Sequence, residues 1–222
     1  MTHSQLCALW LGCMGWILTA VAMGLVQWRV WLVYDNEAIS SGIAWVGMWR
    51  ACFNSHTQVS PGFVVTHCRY ISLSEASTPP EIAAGQVLML LSVLVGLLGN
   101  SSGVYALRNV HFGLEKNFPS CFFITGALFL SASGMSLVPL AWNLSSVVTN
   151  QTIMFPPAFK MPRAPDSQHV GCGIAMGLVG TVLMVVSGLM YCRYRSPIRL
   201  RWDVSGGKDN PAFDSHEHIW DI

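Results

Sequence analysis

The chain has 222 residues, 52% of them apolar and only 10% charged, with a formal net charge of +1 at pH 7. That composition excludes one or two ordinary soluble domains, and the near-zero charge gives no electrostatic footprint for a nucleic-acid partner. Four apolar runs, about 6–26, 82–107, 119–141 and 170–192, are free of Asp, Glu, Lys and Arg. Each is long enough to cross ~30 Å of hydrocarbon at 1.5 Å per residue. The spacing predicts an all-α membrane domain over 1–192 with extracellular loops at about 27–81 and 142–169, followed by a tail at 193–222.

The first run ends on small residues, Thr19-Ala20-Val21-Ala22, which could suit signal cleavage. No Lys or Arg precedes it, and some 20 apolar residues is long for a signal core, so it reads as a retained span. The 27–81 segment then turns β-like. Residues 28–34 and 62–71 are dense in β-branched and aromatic types, with Asp35-Asn36, Ser40-Ser41-Gly42 and Ser60-Pro61-Gly62 as turns. Period-2 alternation sets Cys68 on the face of Thr66 and Tyr70, and Arg69 on the other face.

Small residues recur at helix-packing intervals: Gly99 with Gly103, Gly126 with Gly134, and Gly173 with Gly177. In lipid such pairs allow close backbone approach, and a tight bundle is expected. Asn100 is among the few polar residues within the spans, and no Asp, Glu, Lys, Arg or His lies there, which argues against transport through the bundle. The 142–169 segment is rich in proline. The tail lacks apolar periodicity and is expected to be disordered.

Lys and Arg concentrate at 108–116 and at 193–201, whereas the long first loop holds only Arg29, Arg50 and Arg69. By the positive-inside rule both termini are cytoplasmic. Cys7, Cys13, Cys121 and Cys172 then fall in or at the ends of spans, and Cys192 at the cytoplasmic exit. Cys52 and Cys68 alone are left in the oxidising compartment, where they are expected to pair. No paired carboxylates or metal-ligand set suggest an enzyme, a cofactor or a bound metal.

Together, Gln27-Trp28-Arg29-Val30, Gly47-Met48-Trp49, Cys52 and Cys68 resemble the signature of the claudin family of tight-junction proteins. Gly15-Trp16, Gly126, Gly134, Trp142, Phe155 and Gly171 stand where claudins carry similar residues. The resemblance implies a left-handed four-helix bundle carrying a small extracellular antiparallel sheet built from both loops and stapled by one disulfide. It also implies a plasma-membrane location at cell–cell junctions. There the protein would assemble with itself and with other claudin-like proteins, in cis and in trans, to seal the paracellular space or set its ion selectivity. An alternative within the wider superfamily is an auxiliary subunit that grips a channel or receptor in its own membrane.

This chain departs from the pattern at four places. Gln86 stands where an Arg is usual, the interval between Cys52 and Cys68 is longer, and Phe155-Pro156-Pro157 and Trp220-Asp221-Ile222 replace the usual segments. Candidate sites follow from the resemblance and from local chemistry. Arg69 is an ion-selectivity candidate and Phe155 a cell-to-cell contact. Asn150 is a glycosylation acceptor in Asn-Gln-Thr, preferred to Asn143, which sits too near the bilayer. Cys192 beside a basic stretch suits palmitoylation, which would add a lipid partner. Trp220 and Ile222 could form the carboxyl-terminal ligand of a PDZ scaffold.

Overall fold

The computed structural model describes residues 2–33, 42–56, 64–73, 78–112, 118–153 and 165–193. Four helices dominate them: α1 (Thr2–Gly24), α2 (Pro80–Phe112), α3 (Phe118–Val148) and α4 (Cys172–Cys192). All four are long and apolar enough to cross a membrane. At 33 and 31 residues, α2 and α3 exceed the ~20 needed to span. The apolar run of α3 ends near 141, yet the helix continues to Val148 and carries Asn143 and Ser146 under the sheet.

Small residues explain how closely the helices pack. A Cβ on Gly15 of α1 would lie 2.6 Å from the Gly180 carbonyl of α4, and one on Gly126 of α3 would lie 2.5 Å from Cys192 Sγ. Gly99 and Gly103 face α3 and the bundle interior, and Gly177 faces Leu140. Gly134, expected to pair with Gly126, meets nothing within 4 Å, because a spacing of eight carries it off the contact. Hydroxyls cross the interfaces: Ser92 donates to the Ala132 carbonyl (2.7 Å), Ser187 to that of Ala8 (2.6 Å), and Ser136 pairs with Thr181 (2.9 Å). Away from the sheet, the Tyr191 ring stacks with Phe122 and Phe129 at centroid distances of 5.8 and 6.2 Å.

The sheet sits on one end of this bundle. Its strands are β1 (Arg29–Leu32), β2 (Ile43–Val46), β3 (Arg50–His56), β4 (Val64–Tyr70) and β5 (Ser167–Val170), in the antiparallel order β4-β3-β2-β1-β5. The two β-rich stretches foreseen contain β1 and β4. The β3 strand (RACFNSH) and the polar, four-residue β5 (SQHV) carry too weak an alternation to stand out. β5 enters from the second loop and pairs with β1, Arg29 opposite Val170 and Leu32 opposite Ser167. One face of the sheet, with Trp31, Ala44, Val46, Ala51 and Phe53, closes a core with Ile71, Ile82 and Ile153.

Candidate functional site: the sheet and its seat on the bundle

Trp28 immediately precedes β1 and is 1% exposed. Its indole Nε1 donates to the Ala22 carbonyl at the end of α1 (2.7 Å), and its ring lies against Gly173, where a Cβ would come within 2.6 Å. The first strand is thus anchored to α1 and α4 together. A Cβ on Gly47 would sit 2.7 Å from Val26 Cα, so only glycine fits where this turn crosses the α1 exit. Met48 then enters a cluster with Trp28, Met89, Leu140 and Ile174, and its thioether fills the space left by Gly85. Trp49 packs at the edge of that cluster. The Trp-Gly-Met-Trp residues therefore knit sheet to bundle.

Gln86 explains one departure from the expected pattern. It is 1% exposed, and its amide Nε2 donates to the carbonyls of Met48 (2.7 Å) and Ile71 (3.0 Å). A neutral amide thereby ties the turn before β3 to the segment leaving β4.

The role that the sequence did not reveal is that of Arg29, which figured there as a loop charge and within the Gln-Trp-Arg-Val run but not as a buried residue. It is 1% exposed. Its Nη2 reaches Glu81 Oε1 at 3.1 Å and Asn143 Oδ1 at 2.8 Å, its Nε meets Asn143 Oδ1 at 3.2 Å, and its Nη1 meets Ser146 at 3.0 Å. Asn143 is oriented in turn by donating to the Pro139 carbonyl at 2.9 Å. Burial pulls the guanidinium pKa below its ordinary value, and the charge and hydrogen bond of Glu81 oppose that shift. A guanidinium keeps its proton in proteins, and this fork joins β1 to the start of α2 and the end of α3. One signal was available: alternation places Arg29 on the same strand face as the apolar Trp31.

The disulfide joins Cys52 and Cys68, which are directly opposed on β3 and β4. Thr66 bonds Asn54 (2.8 Å) and Arg50 lies 5.6 Å from the Tyr70 ring centroid, so these pairs share the disulfide's face. Arg69 opposes Ala51 on the other face, exposed on edge strand β4. The compartment count of cysteines needs one correction. Cys172, at the start of α4, lies exposed at the sheet end with its Sγ 3.0 Å from Gln27 Oε1, so three cysteines share that end and two of them are bonded.

Asn143 is buried in the Arg29 network, which removes it from reach of a glycan. Asn150 is exposed and lies in the turn just after α3 at φ 54°, a left-handed conformation that Asn tolerates, with its N–H bonded to the Val147 carbonyl. Cys192 Sγ packs toward Gly126. Phe155, Trp220 and Ile222 lie outside the described residues.

The family model described as PMP-22/EMP/MP20/Claudin tight junction matches residues 13–193. Among curated proteins, Claudin-3 of Canis lupus familiaris is 27% identical over 188 residues, covering 82% of this chain and 78% of that protein. Claudin-3 of Homo sapiens is 26% identical over the same length, covering 82% of this chain and 77% of that protein. Claudin-2 of Bos taurus is 25% identical over 197 residues, covering 87% and 79%. With its signature residues gathered at the joint between sheet and bundle, the chain belongs to this family, as a divergent member similar to the claudins.

Proposed function

We propose that the protein is a tight-junction-type structural and adhesion protein of the plasma membrane, with both termini cytoplasmic. Its extracellular loops would assemble laterally and between cells, with further copies or with claudin-like partners, to seal or filter the paracellular space. The observation that carries this reading is the single sheet built from both loops, with β5 on β1 and the seat locked by Trp28 and Arg29. A rigid platform of this kind offers two sheet edges for contacts between copies. Arg69 on the β4 edge is the candidate for disfavouring cations in a confined path, where a single charge weighs several-fold more than in bulk water. Phe155 is kept as a cell-to-cell contact, Trp220 and Ile222 as a PDZ ligand, Asn150 as a glycan acceptor and Cys192 as a palmitoylation site.

Freeze-fracture imaging of strand-free cells expressing this chain alone tests the proposal. Continuous strands at cell contacts are expected. A second reading is favoured by the family description, which spans PMP-22, EMP and MP20 as well as claudins. In that reading the same sheet grips a channel or receptor in its own membrane, and a uniform surface signal without strands would select it.

A further inference from the structure

The seam between α1 and α2 differs from the others. Near the middle of the bundle Trp16 closes it: its indole Nε1 donates to the Val93 carbonyl at 2.8 Å, and its ring occupies the space left by Gly96, 2.7 Å from where a Cβ would stand. Beyond that wedge, toward the end opposite the sheet, the two helices leave a groove. It consists of a cavity of about 530 Å³ that includes Cys13 and Ser101, and a second of about 480 Å³. The two share Leu9 and Val104 in their walls, so they adjoin along the same seam. Each is of the size that holds a small-molecule ligand.

The trough is mainly apolar throughout, and its basic side chains sit at one end. Its inner part sets Leu9, Trp10 and Val104 beside the uncharged Asn100 and Ser101, and its outer mouth, also largely apolar, carries His3, Arg108 and His111. The His111 ring is braced edge-on by Phe112 at 5.4 Å. No carboxylate lines the mouth among the described residues. An apolar slot opening at a helix end beneath one guanidinium and two imidazoles matches an acyl chain joined to an anionic headgroup. A second copy docked by the same face would bring Arg108 against Arg108, which disfavours that occupant.

We propose that the α1–α2 groove is a binding site for an anionic phospholipid of the leaflet opposite the sheet. The acyl chain lies along Leu9 and Val104, and the net negative charge of the headgroup faces Arg108 and His111. This inference rests on the membrane-spanning bundle and not on junctional assembly, so loss of strand formation leaves it standing. The test is native mass spectrometry of the full chain, exchanged into mixed micelles containing phosphatidylserine and phosphatidylcholine. Each basic residue near an anionic headgroup favours binding by about five-fold, so retention of phosphatidylserine should exceed that of phosphatidylcholine by at least that factor. Arg108→Gln with His111→Gln should bring the two lipids to parity. Val104→Trp should displace both, with the circular-dichroism spectrum unchanged. Equal retention of the two lipids by the unaltered chain would overturn the proposal, as would undiminished retention in Val104→Trp. Oxidative cross-linking of two copies through Cys13 would overturn it too, because it would place protein in the groove.

Discussion

Breaking the Arg29–Glu81 pair is the sharpest test of how the sheet is held. Arg29 is 1% exposed, whereas the Glu81 side chain keeps 12% of its surface accessible. Replacing Glu81 with Ala strands a guanidinium that cannot deprotonate, held only by Asn143 and Ser146. Removing one partner of a buried pair costs roughly 3–5 kcal/mol. Arg29→Met strands Glu81 instead, which can turn toward water, so its cost should fall at the low end of that range. Two unit charges 4 Å apart interact by about 4 kcal/mol at an effective dielectric near 20, and this pair is closer. The double variant should therefore cost less than the sum of the single ones by roughly 1.5 kcal/mol or more, as contacting residues do. Equilibrium unfolding of the detergent-solubilised protein, followed by tryptophan fluorescence, measures all corners of this cycle. Additivity within ~0.5 kcal/mol would refute the reasoning, since it would mean that the two charges do not sense each other in the folded state.

Three further outcomes follow from the same geometry. Gln86→Leu removes both donors to the Met48 and Ile71 carbonyls and should cost roughly 1–3 kcal/mol per acceptor left dry, read in the same unfolding assay; no change would show that water reaches them. Cys52→Ser and Cys68→Ser, joined by a bond of sequence separation 16, should each lose about 3 kcal/mol in the chain-entropy model and respond alike to reductant. Exchanging Arg69 for Asp should raise sodium over chloride permeability across an epithelial layer expressing the protein, and unchanged selectivity would remove this residue from any pore.

Hydropathy alone made the four helices legible, because lipid demands about 20 apolar residues whatever their neighbours are. The disulfide followed from compartment and topology, although the count behind it missed Cys172. Gly126 was legible as a packing residue, but its proposed companion Gly134 was not placed by spacing alone. Whether a glycine is used depends on which face its partner helix covers.

What the sequence determined by itself was the material: the spans, the stapled β-rich loop, and a tryptophan and glycine pattern that marked the family. Only the tertiary structure decided how these are joined. The acceptors of Arg29 lie 52, 114 and 117 residues away, so no local pattern could announce that this charge is buried. The same holds for β5, whose four residues become a strand because β1 offers them an open edge. Burial and edge pairing are properties of the assembled chain, since the desolvation that makes Arg29 costly and the partners that make it tolerable arise only when α2, α3 and the sheet meet.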